Sequence, residues 1–130
     1  EYGATTGRPR RCGWLDGVLA KFAVEINGTD LLVLTKIDVL DVLDEIKICT
    51  GYKIKDKPQN DFLTDISVMD KVEPVYKVVP GWQQPTTKIT NYKDLPKELH
   101  NYINCIEELV NAPVGLVSVG AERNETILRK

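Results

Sequence analysis

The residues best suited to binding a ligand are concentrated near the start of the chain, where eleven positions include two threonines, three arginines and three glycines. Arginine guanidiniums bind carboxylate or phosphate oxygens in pairs, and glycines let backbone N–H groups approach an anion closely. The pattern therefore predicts an anion-binding loop, and Pro9 together with the absence of lysine favours a shaped site over a flexible tail. The alternative is a solvated basic loop, since runs of charge usually face water. The segment consists of Gly3, Ala4, Thr5, Thr6, Gly7, Arg8, Pro9, Arg10, Arg11, Cys12 and Gly13.

A second candidate site follows the apolar run 31–34, where the chain continues with Thr35, Lys36, Ile37 and Asp38. An uninterrupted apolar run predicts a strand covered on both faces, and open α/β sheets bind ligands beyond the carboxyl ends of such strands. A carboxylate there accepts hydrogen bonds from the N1–H and the exocyclic amine of guanine, while a lysine stem lies over the base. Adenine lacks that donor pair, so Asp38 would discriminate between the two bases. A charged loop after a buried strand is also common, and this ordinary alternative stays open.

A third candidate site is Ser118, Val119 and Gly120, at the end of another apolar run, 114–119. Small residues at the carboxyl end of a strand let backbone groups contact a ligand. They would complement the second candidate site if the two strands were neighbours in one sheet. The alternative is an ordinary tight turn.

The remaining polar candidates favour structural roles. The one histidine, His100, lies beside the apolar stripe of a predicted helix without a second ligand nearby, which indicates a boundary residue rather than a catalyst or a metal ligand. The two tryptophans, Trp14 and Trp82, are predicted to pack in the core. An acidic cluster fits no calcium loop and is predicted to be a solvated helix start. The cluster consists of Asp38, Asp41, Asp44 and Glu45.

Hydrophobic spacing predicts two amphipathic helices that position these candidates. The first covers Trp14–Ile26 and ends at Gly28, and the second starts from Asp94 as its N-cap, with Pro96 in its first turn, and runs to Val110. Two helices are few to cover both faces of two buried strands, so the core is predicted to be incomplete without more chain. Strands are predicted at 31–34, 45–54, 75–79 and 114–119, with a loop at 55–61.

Composition excludes several classes of protein. The 130 residues carry 17 basic and 19 acidic side chains, a balance that argues against a surface that coats nucleic acid. No apolar run reaches the roughly 18–20 residues that span a bilayer, so no membrane partner is expected. The three cysteines, Cys12, Cys49 and Cys105, are odd in number and far apart, which favours reduced thiols in a cytosolic protein.

Taken together, these segments resemble the adenylosuccinate synthetase family. Residues 3–16 are similar to its arginine-rich signature, and Leu34–Asp41 is similar to its guanine-recognition segment, in the same order along the chain. The resemblance covers essentially the whole chain but only about the last third of a family member. Further matches are Glu73–Tyr76, Pro80–Trp82, Ile106–Leu109 and Ser118–Arg123.

The resemblance implies an α/β fold, part of a P-loop-NTPase-like mixed sheet flanked by helices. Residues 1–130 would form the carboxy-terminal segment of a single domain, with a substrate arginine loop at 1–16 and guanine-recognition strands at 31–38 and 114–120. It also implies a cytoplasmic enzyme that is a homodimer at full length.

The implied activity is a GTP-dependent ligase of purine biosynthesis that joins IMP and L-aspartate to form adenylosuccinate, with Mg2+ as cofactor. The aspartate and IMP site would comprise Ala4, Thr5, Thr6, Gly7, Arg8, Pro9 and Arg10. The GTP site would comprise Arg10, Lys36, Ile37, Asp38, Ser118, Val119 and Gly120. Within these sets, Thr6, Arg8 and Arg10 would face the carboxylates of aspartate.

By the same resemblance, the phosphate loop, the catalytic residues and the magnesium ligands would lie in a preceding part of the family's chain. No catalytic residue and no metal ligand is therefore expected within the 130 residues, which alone would be inactive. Two alternatives remain: a noncatalytic guanine-nucleotide binding module, and a structural piece that requires the rest of its chain.

Overall fold

The computed structural model describes residues 2–3, 5–59, 61–63 and 65–129, and within these ranges the chain forms two α-helices and seven strands. Helix α1 spans Gly17–Asn27 and helix α2 spans Lys97–Val110. The strands are β1 (Leu15–Asp16), β2 (Leu32–Leu34), β3 (Glu45–Ile54), β4 (Lys57–Gln59), β5 (Glu73–Pro80), β6 (Val114–Ser118) and β7 (Thr126–Leu128).

The first sheet is built around the long strand β3, whose observed bounds match the predicted strand at 45–54. Strand β5 pairs with it in antiparallel fashion along most of its length, with a register shift between Cys49 and Gly51. Strand β1 pairs with β3 in parallel, and β4 pairs with its carboxyl end in antiparallel fashion. The short strand β4 falls in the predicted loop 55–61, so that prediction is wrong over Lys57–Gln59.

The second sheet holds β2 and β6 side by side. Strand β6 is largely buried, but the prediction that the run 31–34 is covered on both faces is wrong, because Leu31 and Val33 are 49% and 50% exposed and no residue of β2 is fully buried. Strand β2 pairs in parallel with β6, with Leu34 opposite Val117, and β7 pairs with the other edge of β6 in antiparallel fashion. Strand β7 was not predicted from the sequence. Its three residues are too few to show an alternating pattern, although Ile127 is almost fully buried.

Helix α2 joins the two sheets through one hydrophobic core. Its buried face includes Leu99, Ile103 and Ile106, which belong to the same cluster as Ile48 of β3 and Val117 of β6. The predicted apolar stripe of this helix is therefore confirmed. Because both sheets share this helix, the position of one sheet constrains the other.

Both helices begin later than predicted. Helix α1 starts at Gly17 rather than Trp14, because Leu15 pairs with β3 and Asp16 caps the helix by accepting hydrogen bonds from two backbone N–H groups. Its end is as predicted, with Gly28 in the left-handed conformation. Trp14 is 37% exposed, so its predicted place in the core is wrong.

The start of α2 differs for a related reason. Asp94 is not its N-cap: the residue closes a short 3-10 helix, Tyr92–Asp94, and its carboxylate accepts a hydrogen bond from the Asn91 side chain at 3.0 Å. Pro96 instead precedes the first helical residue and offers its carbonyl to His100 N–H at 3.0 Å. His100 lies within α2 and is half-buried, as predicted for a residue beside the apolar stripe of the helix.

Candidate functional site

The second and third candidate sites lie at one edge of the second sheet. Strands β2 and β6 run in parallel with Leu34 opposite Val117. Thr35, which follows β2, and Ser118, the last residue of β6, therefore lie at the carboxyl ends of neighbouring strands. This is the edge at which open α/β sheets bind ligands. The structure therefore brings together two segments that the sequence could place side by side only by assumption.

Both segments show the same alternation of accessible and buried residues. Ile37 is 3% exposed and Val119 is fully buried in the shared core, while the residues on either side of each are accessible. The buried side chain anchors each segment and leaves its neighbours accessible at the carboxyl ends of β2 and β6, which form the candidate ligand edge. Among the predicted GTP-binding residues, Ile37 and Val119 therefore offer a ligand only their backbone groups. The accessible neighbours are Lys36, Asp38, Ser118 and Gly120.

The Lys36 backbone is left-handed, with φ of 60°, and it precedes a 3-10 helix over Ile37–Leu40. A left-handed residue other than glycine costs roughly 1–2 kcal/mol and persists only where its surroundings hold it. This turn presents Lys36 on the exposed side and Asp38 half-buried one residue beyond the anchor. In this arrangement the lysine stem could cover one face of a flat ligand, and the carboxylate could accept hydrogen bonds from donors along the edge of that ligand.

Gly120 lies against the Glu125 side chain. A Cβ at position 120 would displace the Glu125 carboxylate, which accepts a hydrogen bond from Glu122 N–H at 2.9 Å. Glu125 in turn offers its backbone carbonyl to Val119 N–H at 2.9 Å, and the Ser118 hydroxyl donates to the Gly120 carbonyl at 3.0 Å. The turn is thus closed internally, which fixes the orientation of the Ser118 side chain.

The amino end of β6 is fixed by a charged pair. A single Glu107 oxygen accepts hydrogen bonds from Val114 N–H, at 2.6 Å, and from the Arg129 guanidinium. The same guanidinium lies 5.0 Å from the centre of the Tyr92 ring, and Arg129 N–H donates to the Gly115 carbonyl at 2.9 Å. Strand β6 is therefore held at both ends, with its ligand edge opposite this ion pair.

Asp41 contributes in a way that the sequence did not reveal, because its place in an acidic cluster predicted a solvated helix start. Its carboxylate accepts hydrogen bonds from Trp82 Nε1–H at 2.6 Å and from Thr86 N–H at 2.7 Å. The Thr86 hydroxyl lies 2.9 and 3.1 Å from its two oxygens. The available signal was the Pro80–Gly81–Trp82 match: an indole N–H buried with its ring needs an acceptor.

The arginine loop forms a closed turn. Gly3 N–H donates to the Arg8 carbonyl at 2.9 Å, Gly7 N–H donates to the Gly3 carbonyl at 2.9 Å, and Tyr2 and Pro9 form an isolated antiparallel bridge. Gly7 is left-handed, with φ of 62°, which explains the need for glycine there. Thr5, Thr6, Arg8 and Arg10 are all exposed, whereas the predicted site residue Ala4 lies outside the described residues.

The loop enters the fold through Asp16. One oxygen of its carboxylate caps α1, at 3.1 Å from Val18 N and 3.0 Å from Leu19 N, and the other accepts a hydrogen bond from the Tyr52 hydroxyl at 2.6 Å. Tyr52 is 5% exposed and packs beside Cys49 of β3. Burial, and then the hydrogen bond and charge of Asp16, raise the pKa of Tyr52 well above its usual value, and burial raises the pKa of the Cys49 thiol.

The arginine loop and the ligand edge of the second sheet lie on different sheets. The loop leads into β1 of the first sheet, and the other predicted residues end β2 and β6 of the second. Among residues 2–3, 5–59, 61–63 and 65–129, no three histidine, cysteine, aspartate or glutamate side chains are grouped to hold a metal ion. The described helices include none long and apolar enough to span a membrane.

Comparisons with known proteins agree on one family. The family model for adenylosuccinate synthetase matches residues 1–127. The adenylosuccinate synthetase of Geotalea uraniireducens is 48% identical over the whole chain, and that of Trichodesmium erythraeum is 46% identical over 98% of it. The chain spans 30% and 29% of these relatives, respectively.

A solved structure is similar throughout the chain. Fully ligated adenylosuccinate synthetase from Plasmodium falciparum matches with a TM-score of 0.91 and 34% identity, over 100% of this chain and 32% of that one. The predicted fold class is confirmed: the chain forms part of a P-loop-NTPase-like α/β fold.

The contact between Tyr52 and Asp16 can be tested with Tyr52→Phe, which removes only the hydroxyl. Hydrogen bonds to charged groups contribute roughly 1.5–3 kcal/mol, so we expect the free energy of unfolding in urea at pH 8 to fall by about that amount. Tyr76→Phe, at a 41% exposed position, is the matched control and should change little. Equal effects of the two substitutions would contradict the assigned contact.

The same variant should change the alkaline stability profile. Because the pKa of Tyr52 is higher in the folded than in the unfolded state, its contribution is complete below about pH 10 and is lost as the pH rises from there towards the folded-state value. Tyr52→Phe should therefore lose stability less steeply above pH 10. Tyr102, whose pKa burial raises to about 12, accounts for part of the remaining decline.

Proposed function

The chain belongs to the adenylosuccinate synthetase family, and from this premise we propose that it supplies the aspartate- and guanine-recognising part of a ligase. The proposed reaction joins IMP and L-aspartate. GTP first transfers its terminal phosphoryl group to the C6 oxygen of IMP. The aspartate amine then attacks C6 and displaces phosphate, which leaves adenylosuccinate and GDP.

The guanine part of the proposal is supported by the parallel pairing of β2 with β6. It makes one accessible edge of Lys36, Asp38, Ser118 and Gly120. In the proposed complex, the Asp38 carboxylate accepts hydrogen bonds from the guanine N1–H and exocyclic amine, and the Lys36 stem covers the base. The Ser118–Gly120 turn completes the pocket from β6. Asp38 thereby selects guanine over adenine, which lacks this pair of donors.

The aspartate part of the proposal is supported by the exposed, internally closed arginine loop. Arg8 and Arg10 supply guanidiniums for the two carboxylates of aspartate, and the Thr6 hydroxyl donates alongside them. Arg8 also contacts the ribose of IMP in this proposal, and Arg10 reaches towards GTP. The contact of Asp16 with Tyr52 holds the base of this loop against β3.

Magnesium dependence, a cytoplasmic location and a homodimer belong to the same proposal. When bound, magnesium would supply charge stabilisation for the transferred phosphoryl group. Its ligands would lie in a preceding part of the family's chain.

Guanine recognition is tested by titrating the purified chain calorimetrically with GTP and with ATP. We expect GTP to bind in the micromolar range or tighter and ATP to bind far more weakly. Asp38→Ala should weaken GTP binding by at least about tenfold, because it removes two hydrogen bonds to a charged acceptor. Asp30→Ala, on the exposed segment that precedes the opposite end of β2, is the matched control. Equal affinity for the two nucleotides would contradict the proposed pocket.

An activity assay tests whether catalysis requires parts of the family's chain other than these 130 residues. We expect the 130 residues alone to form no adenylosuccinate from IMP, aspartate, GTP and magnesium, because they span only 30% of a relative's length. Formation of the product, measured by its ultraviolet absorbance and by GDP release, would show that these residues contain a catalytic group of their own.

A further inference from the structure

We propose that Asp41 is a positioning residue for the turn formed by residues 36–41, here named the guanine-reading turn. Its carboxylate holds this turn against residues 82–86 through hydrogen bonds, which together are named the clamp. The proposal rests on the guanine role proposed above for Asp38. It adds a claim about what makes that role selective: the carboxylate that reads the base is held in place by a second carboxylate, three residues further along the chain.

The clamp consists of one acceptor and three donors. Trp82 Nε1–H, Thr86 N–H and the Thr86 hydroxyl all donate to the Asp41 carboxylate, at distances between 2.6 and 3.1 Å. Trp82 is 5% exposed and Thr86 is fully buried, so water competes little for these donors. Hydrogen bonds to an ionised acceptor are roughly twice as strong as neutral ones. Asp41 therefore links two chain segments that are far apart in sequence.

A second contact holds the same two segments together through the backbone. Gly81 N–H donates to the Asp44 carbonyl at 2.8 Å, and any side chain at position 81 would collide with the Leu43 carbonyl. The Pro80–Trp82 turn thus lies directly against residues 41–44. This close fit fixes the spacing that the Asp41 hydrogen bonds require.

The turn that Asp41 holds has little stability of its own. Its internal hydrogen bonds are long, at 3.4 Å from Val39 N to Lys36 O and 3.3 Å from Asp41 N to Asp38 O. It also begins at Lys36 in the left-handed conformation, which is unfavourable for lysine. The buried side chain of Ile37 anchors this near end of the turn in the core. Asp41 anchors its far end, so Asp38 lies between two fixed points.

Selectivity is the property most sensitive to this support. Hydrogen bonds weaken steeply when donor and acceptor are misaligned, and Asp38 must align both oxygens with two donors of guanine. Hypoxanthine retains N1–H but lacks the exocyclic amine, so an inosine nucleotide depends on that alignment less than a guanosine nucleotide does. A loosened turn should therefore reduce the preference for GTP over ITP, beyond any loss of affinity common to both.

The first test is amide hydrogen exchange of the 130-residue chain and of Asp41→Asn, which keeps the size of the side chain but removes its charge. We expect the amides of residues 39–43 to exchange about tenfold faster in the variant, while those of α2 are unchanged. Asp44→Asn is the matched control, because the Asp44 side chain accepts only the adjacent Glu45 N–H among the contacts described. Trp82→Phe, which removes one donor and keeps an aromatic ring, should reproduce part of the effect.

Three exchange results bear on the clamp without any nucleotide. Faster exchange confined to the turn supports it. Unchanged exchange in Asp41→Asn overturns it. Equal acceleration in α2 also overturns it, since Asp41 would then stabilise the whole fold rather than position the turn.

The second test is calorimetric titration of the same variants with GTP and ITP. We expect the ratio of their affinities to fall several-fold in Asp41→Asn and to stay at the wild-type value in Asp44→Asn. Wild-type selectivity in Asp41→Asn, combined with GTP binding by the wild type, overturns the positioning role. Failure of the wild type to bind GTP contradicts the proposed function instead, and the exchange experiment still decides whether the clamp exists.

Discussion

The parallel pairing of β2 with β6 is the constraint on which the candidate guanine site depends. Parallel neighbours cannot be joined by a tight turn, so the two strands meet only because the intervening chain packs correctly. Helix α2 does most of this work: its apolar face shares one core with both sheets, and Glu107 near its end fixes the first residue of β6. Loss of this pairing would separate the two halves of the proposed pocket without altering any residue in it.

The candidate site combines buried residues that fix the backbone with accessible residues that could contact a ligand. Ile37 and Val119 lie in the core, and each fixes the backbone from which accessible neighbours project. Two carboxylates also fix the backbone near the candidate site. Asp41 ties the turn after β2 to Trp82 and Thr86, and Asp16 ties the end of the arginine loop to Tyr52. In each case a carboxylate holds a loop in place by accepting hydrogen bonds from residues that are distant in the sequence.

Periodicity was informative where a segment was long enough to show it. The bounds of β3 and the buried face of α2 follow from the spacing of apolar residues, and the C-cap at Gly28 follows from its residue type. The start of α1 was placed too early because Leu15 fits a helical pattern but pairs with β3 instead. The start of α2 was placed too early because Asp94 belongs to a separate 3-10 helix. The strands β4 and β7 have three residues each and owe their structure to a neighbouring strand.

The site was only partly accessible from the sequence for a physical reason. Residue types and their positions after apolar runs indicated Lys36, Asp38 and the Ser118–Gly120 turn as candidates. The role of Asp41 depends on donors that lie some forty residues away in the sequence, and no local pattern encodes such a contact. The burial of Ile37 likewise depends on packing between sheets, which spacing alone does not specify, whereas the burial of Val119 follows from its place in the apolar run 114–119.

The proposed guanine pocket is formed jointly by the carboxyl ends of β2 and β6. It is tested most directly by mapping GDP onto the backbone amides of the isotopically labelled chain by nuclear magnetic resonance. If both strands form the pocket, the largest chemical-shift changes fall on residues 36–38 and 118–120 together, and ADP at the same concentration leaves them unmoved. Shifts confined to one of the two segments, or equal shifts with ADP, would contradict it.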